Sequence, residues 1–204
     1  MIVLGLTGSI GMGKSMACAM LTQLGVPVHD ADQEVGRLLQ EGSHAWPAIR
    51  EQFPPAHYPE IYEGRNPVFL KRSVLGNLVF RDGAEREKLE GILHPFVQQA
   101  QSDFIRREKR LGRKAVVLDV PLLFETGADQ GVEYVITVTA PVFVQRARVL
   151  ARAGMTEDKF AVILDRQMPD ADKRRRSDFV ISSGLGRAPM MRALKQILVQ
   201  IGAL

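Results

Sequence analysis

The segment from Gly8 to Ser15 constrains this chain most, because it fits the phosphate-binding pattern G-x-x-x-x-G-K-[ST] without a gap. An apolar run over residues 2–6 precedes it and indicates a buried parallel strand. Apolar residues at helical spacing over 17–24 predict a helix directly after it. A strand, a glycine-rich loop and a helix in this order are the context that gives the pattern its meaning, so we expect the chain to bind a nucleoside triphosphate.

Each residue type in this loop has a part in phosphate binding. Glycines allow backbone N–H groups to turn inward as a nest for an anion, and the N-terminus of the following helix adds the positive end of its dipole. The Lys14 side chain is expected to reach the β- and γ-phosphates, and the Ser15 hydroxyl can bind Mg²⁺. The alternative is a glycine-rich turn between strand and helix that holds no ligand.

The composition is that of an ordinary globular chain. Its 204 residues, 46% of them apolar and 25% charged, are enough for one α/β domain with insertions. No apolar run approaches the roughly 20 residues of a membrane-spanning helix, and the first residues form a strand pattern rather than a signal peptide. Cys18 is the only cysteine, which excludes an intramolecular disulfide and favours a cytoplasmic location and a packed, unreactive thiol. The net charge of +4 is mild and suits a phosphate-rich ligand.

Strand and helix patterns alternate along the chain. Further strands are predicted at 26–29, 115–120, 134–138 and 179–181, and helices at 33–40, 70–80, 84–111, 142–153, 157–167 and from residue 189 onward. Pro95 predicts a kink or a break at His94 in the long helix. The stretch 41–66 is rich in proline and aromatic residues and is expected to be an irregular insertion. The alternation is typical of a parallel sheet that is covered on both sides and binds its ligand beyond the carboxyl ends of the strands.

Three aspartates follow predicted strands and are expected at the same cleft as the loop. Asp119 ends an apolar strand at the Walker-B position, where an aspartate holds Mg²⁺ directly or through water, and a turn or cap role is the alternative. Asp30 and Asp32 follow the short second strand, where a carboxylate can accept the proton of an attacking hydroxyl or hold Mg²⁺ through water. Asp30 also has capping-box spacing with Gln33, so it fits a helix cap as well as it fits catalysis.

Other residues narrow the class of phosphate chemistry. Neither of the two asparagines begins the Asn-Lys-x-Asp motif that reads guanine in switch GTPases, which favours a kinase that uses ATP. Four arginines after 134–138 could neutralise transition-state charge or belong to a solvated helix face: Arg146, Arg148, Arg152 and Arg166. Basic clusters at 106–114 and 173–176 could mark nucleic-acid contacts, but no aromatic stacking pattern accompanies them, which favours solvated helix ends.

These motifs, in this order, resemble the dephospho-coenzyme A kinase family, the enzymes of the last step of coenzyme A synthesis. Residues 5–15 are close to the family's GLTGGIGSGKS, and 28–32 resemble its strand followed by DAD. Residues 75–95 resemble LG…VF…LE-x-I-x-HP, 119–125 resemble D-x-PLLFE, and 145–178 resemble the tail Q-x-x-R…R…RQ…K…AD. The resemblance runs nearly from end to end, and DAD, HP and PLLFE together distinguish the family from other kinases.

The resemblance implies an α/β, three-layer P-loop nucleotide-kinase fold with a parallel central sheet, a helical acceptor-binding insertion and a lid. Residues 1–35 and 112–204 would form the nucleotide-binding core, with the lid at roughly 146–176, and 36–111 would bind the acceptor. The implied substrates are ATP, with Mg²⁺, and the ribose 3′-hydroxyl of dephospho-coenzyme A. Neither nucleic acid nor a membrane is implied as a partner, and the chain is expected to be a cytoplasmic monomer or weak homo-oligomer.

The resemblance also implies a role for each matching residue. Asp32 would be the general base, and Lys14 and Arg148 the other catalytic residues. The implied ATP-binding residues are Gly8, Gly11, Met12, Gly13, Lys14, Ser15, Met16, Arg148 and Arg152. The implied acceptor-binding residues are Asp32, His94, Pro121, Leu122 and Glu125, and the implied magnesium ligands are Ser15 and Asp119.

The chain departs from the family pattern at several positions. Ser9 stands where the family usually has Gly, Met12 where it usually has Ser, and Met16 where Thr or a small residue is common. The tail 177–184 lacks the Asn that usually precedes the glycine. Because Ser9 and Met12 would face the phosphates mainly through their backbone, we expect ATP binding to survive these changes.

Three other functions stay open on the sequence. The first is a P-loop kinase for another small nucleotide or hydroxyl acceptor, because the fold tolerates many acceptors. The second is a P-loop ATPase stimulated by nucleic acid, which the basic clusters would serve. The third is a nucleotide-binding regulatory module without turnover.

Overall fold

The computed structural model describes residues 1–64 and 69–204, and these pack as two compact units. The first unit comprises Met1–Asp30 and Ile105–Leu204, and the second comprises Ala31–Phe104. The family resemblance implies corresponding boundaries near residues 35 and 111. Each unit has a hydrophobic core of its own.

The described residues alternate between strands and helices, as the sequence pattern predicts. The strands are β1 (Ile2–Thr7), β2 (Val28–Asp30), β3 (Tyr62–Glu63), β4 (Phe69–Leu70), β5 (Ala115–Asp119), β6 (Tyr134–Thr139) and β7 (Phe179–Ser182). The helices are α1 (Lys14–Gln23), α2 (Ala31–Leu38), α3 (Trp46–Gln52), α4 (Arg72–Arg81), α5 (Gly83–Arg110), α6 (Val142–Leu150), α7 (Glu157–Asp165), α8 (Asp170–Arg176) and α9 (Arg187–Gln200). Short 3₁₀ helices cover Pro59–Ile61 and Ala128–Gly131.

A five-stranded parallel sheet in the order β2-β5-β1-β6-β7 forms the centre of the first unit. Every residue of β5 is buried, as expected for a central strand covered on both faces. Its neighbours are β1, where Leu6 is paired with Asp119, and β2, where Asp30 is paired with Asp119. Because all strands run the same way, the segments that follow β1, β2, β5, β6 and β7 leave from one edge of the sheet, where ligands of such sheets bind.

Helices α1 and α9 supply much of the core of the first unit. The predicted inner face of the first helix is confirmed, since Ala17, Met20 and Leu21 are buried. These side chains share a core with the sheet residues Leu4, Leu6, Ile136, Val138 and Ile181 and with the α9 residues Met190, Leu194, Ile197 and Leu198. The last helix begins at Arg187, two residues before Pro189, and Met191 is only partly buried.

The helix α8 is absent from the sequence prediction. Its seven residues include the basic run 173–176, which was expected to lie at solvated helix ends. That expectation is wrong for Lys173, whose side chain is completely buried. The reason is a set of oxygen acceptors on the turn after β5, which the local sequence of α8 does not reveal.

The second unit contains α2, α3, α4, the larger part of α5 and a β3–β4 hairpin. Its core consists of Trp46, Ile49, Phe53, Ile61, Tyr62, Leu75, Leu89 and Leu93. The expectation of an irregular insertion over 41–66 is therefore wrong for α3 and for the 3₁₀ helix, while residues 65 and 66 lie outside the described residues. The aromatic residues that blur the periodicity of this stretch form its core: the Trp46 and Tyr62 rings meet edge to face with centroids 6.3 Å apart.

The long helix α5 runs from Gly83 to Arg110 and contains Pro95 within it. A break at His94 is therefore excluded. Proline removes one backbone hydrogen bond, but buried Leu89 and Leu93 anchor the preceding turns in the core of the second unit. Across 1–64 and 69–204, the helices are all too short or too polar to cross a membrane.

Candidate nucleotide-binding site

The loop between β1 and α1 has a backbone that two of its glycines make possible. Gly11 and Gly13 have φ angles of 77° and 94°, in the left-handed region that side chains disfavour. A Cβ at Gly11 would lie 2.5 Å from Cγ2 of Val149, and one at Gly13 would lie 2.8 Å from Oγ of Ser183. Both conformation and packing therefore require glycine at these two positions.

Helix α1 begins directly after this loop. Lys14 and Ser15 are its first two residues, and the backbone N–H groups of Met16 and Ala17 donate to the carbonyl of Gly13. The N–H groups that precede these two in a helix have no acceptor within it, and the helix start carries the positive end of the dipole. The loop and the start of α1 therefore form a site suited to an anion such as a phosphate.

Two glutamines hold the loop at Ile10. The side-chain amide of Gln145, on α6, donates to the carbonyl oxygen of Ile10 at 2.8 Å. The side-chain oxygen of Gln167 accepts the N–H of Ile10 at 3.0 Å. The next anchor is Met12, whose side chain is buried and whose sulfur accepts the N–H of Ala140 at 3.1 Å. Residues more than 120 positions later thus fix the loop on both sides of Gly11.

Arg148 and Ser183 form a second set of contacts to the loop. Nη1 of Arg148 donates to Oγ of Ser183 at 2.7 Å, and Nη2 donates to the Ser183 carbonyl at 3.1 Å. The Ser183 hydroxyl donates to the carbonyl of Met12 at 2.7 Å. A longer contact of 3.4 Å joins Nη1 to the carbonyl of Gly11. The guanidinium of Arg148 is therefore held beside the loop backbone.

Lys14 and Asp119 form an ion pair at the end of β5. The second carboxylate oxygen of Asp119 accepts a hydrogen bond from the Cys18 thiol at 3.2 Å. Burial, and then the nearby Asp119 carboxylate, raise the pKa of the Cys18 thiol far above its ordinary value. The expectation of an unreactive thiol agrees with this environment, because the thiolate is the reactive form.

The turn after β5 is held by a buried lysine. Nζ of Lys173 donates to the carbonyl of Pro121 at 3.0 Å and lies 2.8 Å from Oε1 of Glu125. The Thr7 hydroxyl, at the end of β1, donates to the same carbonyl at 3.0 Å. Glu125 also accepts the backbone N–H of Met168 at 2.7 Å. This network ties the 121–125 turn to β1 and α8.

Most of the predicted site residues lie in the first unit. There the loop, Lys14, Ser15, Met16, Asp119 and Arg148 belong to the contacts described above or adjoin them, while Arg152 is exposed just beyond α6. Asp32, the second residue of α2, and His94, an exposed residue of α5, belong to the second unit. Sequence reasoning assigned no role to Ser183, and it placed Gln167 and Lys173 in the matching family tail without giving either a contact. For Gln145 a signal was present, because its spacing of three from Arg148 places both side chains on one face of a helix.

The residues that could hold a metal ion are oxygen donors. Among residues 1–64 and 69–204, no three His, Cys, Asp or Glu side chains come close enough to form a metal cluster. Mg²⁺ does not require one, because in nucleotide-binding sites it takes one or two protein oxygens together with phosphate oxygens and waters. The Ser15 hydroxyl and the Asp119 carboxylate have the chemistry of such ligands.

The sheet order and the loop that leads from β1 into α1, with Lys14 and Ser15 at the helix start, define a P-loop nucleotide-binding protein. The family model described as dephospho-CoA kinase matches residues 2–186. The chain belongs to the dephospho-CoA kinase family.

Individual relatives agree with this assignment. A dephospho-CoA kinase of Mesorhizobium japonicum is 47% identical over 186 residues, which are 91% of this chain and 89% of the relative. One of Agrobacterium fabrum is 42% identical over 203 residues and covers 100% of both chains.

Solved structures share the fold. The crystal structure of TT1252 from Thermus thermophilus has a TM-score of 0.81 and 31% sequence identity, covering 98% of this chain and 97% of that one. A dephospho-CoA kinase from Campylobacter jejuni has a TM-score of 0.65 at 20% identity, covering 98% of this chain and 96% of that one. At that identity the second likeness concerns the fold alone.

Proposed function

We propose that this protein transfers the γ-phosphoryl group of ATP to the ribose 3′-hydroxyl of dephospho-coenzyme A, forming coenzyme A and ADP. The main support for this proposal is the match of residues 2–186 to the dephospho-CoA kinase family. In this reaction the 3′-oxygen forms a bond to the γ-phosphorus, and the bond between that phosphorus and the β,γ-bridging oxygen breaks. The hydroxyl proton passes to a base, and the electron pair of the broken bond leaves with ADP.

The phosphates of ATP are assigned to the loop and the start of α1. The ATP-binding residues would be Gly8, Gly11, Met12, Gly13, Lys14, Ser15, Met16, Arg148 and Arg152. The Lys14 ammonium would leave Asp119 for the β- and γ-phosphates, where it stabilises the charge that develops in the transition state. The Arg148 charge beside the loop supports its place in this set, within a lid at roughly 146–176.

Mg²⁺ would be held by the Ser15 hydroxyl and the Asp119 carboxylate. When bound, it neutralises part of the negative charge on the β- and γ-phosphates. The proximity of the Lys14 ammonium and the Asp119 carboxylate supports this placement, because both groups would act on the same phosphates.

The acceptor is assigned to the helical region 36–111 and to flanking residues. Asp32 would take the proton of the 3′-hydroxyl and orient it for attack. His94, Pro121, Leu122 and Glu125 complete the proposed acceptor-binding set. The exposed side chain of Leu122 suits a direct substrate contact, whereas the Glu125 carboxylate already binds Lys173 and Met168 and suits a supporting part.

A nucleic-acid-stimulated ATPase is disfavoured by the state of one basic cluster. Within 173–176, Lys173 is buried, Arg175 is paired with Asp172, and Arg176 lies 3.0 Å from Asp129. The Lys173 charge is therefore inaccessible to a phosphate backbone, and two of the three arginines already have carboxylate partners. We also propose a cytoplasmic enzyme that acts without nucleic acid or membrane, as a monomer or weak homo-oligomer.

A comparison of acceptors tests the proposed function. ADP release is measured with ATP, Mg²⁺ and dephospho-coenzyme A, and in parallel with AMP, adenosine, pantothenate or a short DNA. We expect turnover with dephospho-coenzyme A alone and coenzyme A as the product by mass. Turnover with a different acceptor in this panel, and none with dephospho-coenzyme A, would show that the acceptor is wrongly assigned.

The base is tested by Asp32→Asn. Because a positioned base contributes a factor of about 10² to 10⁴, we expect kcat to fall at least 100-fold while ATP binds as in the wild type. Glu34→Gln is the matched control, since Glu34 lies on the same helix and pairs with Arg37. A kcat of Asp32→Asn close to that of Glu34→Gln would exclude Asp32 as the base.

A further inference from the structure

Ser183 lies directly after β7 and is almost completely buried, with 2% of its surface exposed. Its N–H donates to the carbonyl of Thr139, at the end of β6, at 2.8 Å. Its hydroxyl donates to the carbonyl of Met12 and accepts from Nη1 of Arg148, both at 2.7 Å. The serine is therefore anchored to the sheet on one side and bonded to the phosphate-binding loop on the other.

Arg148 completes this contact. Nη2 donates to the Ser183 carbonyl at 3.1 Å, and Nη1 lies 3.4 Å from the carbonyl of Gly11. Two consecutive carbonyls of the loop, those of Gly11 and Met12, thus face the Arg148–Ser183 pair. The guanidinium has a rigid planar shape, so the position of Ser183 also determines where the charge of Arg148 lies.

A carbonyl that is fixed in this way determines the direction of the following N–H. In a trans peptide the C=O of one residue and the N–H of the next point in opposite directions within one plane. The bond from Ser183 to the carbonyl of Met12 therefore directs the N–H of Gly13 away from Ser183. Gly13 can adopt this orientation because its φ angle of 94° is open to glycine.

We propose that Ser183 is a positioning residue for ATP, which it serves by orienting the Met12–Gly13 peptide and the Arg148 guanidinium. The inference rests on the proposed function, in which this loop binds the phosphates of ATP. Position 183 lacks the family's usual Asn, and the sequence pattern assigns no role to the serine that stands there. The proposal supplies that role. The two residues pack closely, since a Cβ at Gly13 would lie 2.8 Å from both Cβ and Oγ of Ser183, and this contact requires glycine at position 13.

The variant Ser183→Ala tests the proposal. It removes the donor to Met12 and one acceptor of Arg148, and leaves the backbone bonds in place. Loss of a buried hydrogen-bond partner of this kind changes an equilibrium constant by about tenfold. We therefore expect the KM for ATP and the Kd for ADP to rise about tenfold. The KM for dephospho-coenzyme A stays within about twofold, because no contact of the acceptor is removed.

Ser182→Ala is the matched control. Ser182 is the adjacent residue, and its hydroxyl accepts only a bond of 3.3 Å from the N–H of Gly184 among the contacts of the described residues. We expect its nucleotide affinity to equal that of the wild type. An ADP affinity of Ser183→Ala within twofold of the wild type, or an equal loss in Ser182→Ala, would overturn the proposal.

A double variant tests whether Ser183 acts on the loop together with Arg148. Arg148→Lys keeps a positive charge but cannot make the parallel bonds to Oγ and O of Ser183. Because the two residues act on the loop together, the double variant should bind ADP no more than about twofold more weakly than the weaker single variant. Losses that multiply fully would show that Ser183 and Arg148 act independently, contrary to the proposal.

ADP binding is measured by calorimetry without any acceptor. A wild-type protein that binds ADP but does not phosphorylate dephospho-coenzyme A would contradict the proposed function and leave the test of Ser183 intact. A Ser183→Ala variant with normal ADP binding, in a wild type that does phosphorylate this acceptor, would contradict only the role of Ser183.

Discussion

Two lysine–carboxylate pairs lie at the same edge of the sheet, yet their surroundings differ. Lys14 pairs with Asp119 at the start of α1, and Lys173 pairs with Glu125 at the turn after β5. The Lys173 side chain has no exposed surface, whereas that of Lys14 is 16% exposed. In the first pair, called the open pair, the ammonium is thus accessible to a ligand; in the second, called the sealed pair, the ammonium is sealed within the protein and only the Glu125 carboxylate, 17% exposed, reaches the surface.

The additional partners of each pair explain the difference. Lys173 also donates to the carbonyl of Pro121, and Glu125 also accepts from the N–H of Met168, so both charges have backbone partners. Around the other pair, the second oxygen of Asp119 accepts from a thiol, which is a weak donor. The sealed pair therefore fixes the turn, while the open pair contains a lysine that can exchange its carboxylate partner for a phosphate.

The largest effect is expected from the open pair. Lys14→Met removes the ammonium that, in the proposed mechanism, stabilises developing negative charge, so we expect kcat to fall by about 10² to 10³. Steady-state kinetics with ATP and dephospho-coenzyme A measure this. Lys195→Met, at an exposed position of α9, is the control and should keep the wild-type kcat. A Lys14→Met variant that retains more than a tenth of the wild-type kcat would place Lys14 outside the catalytic machinery.

The sealed pair should dominate stability. Glu125→Gln leaves the buried Lys173 ammonium without its countercharge, and we expect the free energy of unfolding to fall by about 3 kcal/mol. Urea denaturation measures the change. The double variant Lys173→Met/Glu125→Gln should be more stable than Glu125→Gln, because it removes the unpaired charge. A double variant that is less stable than both single variants would show that the cost lies in lost packing and not in the charge.

The corresponding change in the open pair should cost less. In Asp119→Asn the freed ammonium of Lys14 can reach water, so we expect the free energy of unfolding to fall by only about 1 kcal/mol. The same urea experiment compares it with Glu125→Gln. Equal losses in the two variants would remove the distinction between an open and a sealed pair.

The sequence predicts the residues of the open pair, because they belong to local patterns. The loop, the strand before it and the helix after it are adjacent in the chain, and Asp119 ends an apolar strand, so a short window contains each signal. Three parallel strands, β1, β5 and β6, lie close to their predicted positions because buried central strands are continuous apolar runs. The family motifs added the expected substrate, which no local pattern contains.

The sealed pair could not be predicted because its partners lie far apart in the chain. Lys173 stands among three arginines and resembles a solvated charge, and only its distance to Glu125, 48 positions earlier, shows that it is buried. Ser183 likewise depends on Met12, 171 positions away. In the second unit part of the core comes from short elements, and neither α3 nor its 3₁₀ helix is long enough to show a period.

A third carboxylate that is paired with cations gives the smallest expected effect and sharpens the comparison. Glu108 is buried, but its partners Arg107 and Arg113 are well exposed. The Nε atoms of these arginines lie 2.9 and 3.6 Å, respectively, from the Glu108 carboxylate oxygens. Solvent screens exposed arginines, and one still pairs when the other is removed. We therefore expect Arg113→Met to lower the free energy of unfolding by less than about 1 kcal/mol in urea denaturation.

The double variant Arg107→Met/Arg113→Met shows whether exposure of the partners is the reason. It removes both arginines from the Glu108 carboxylate, so its loss should exceed the sum of the two single losses. Glu108→Gln in the same background should recover part of that loss, because it removes the charge that has no partner. If Arg113→Met alone destabilised the protein as much as Glu125→Gln, the exposure of the cation would not determine how much an ion pair contributes to stability.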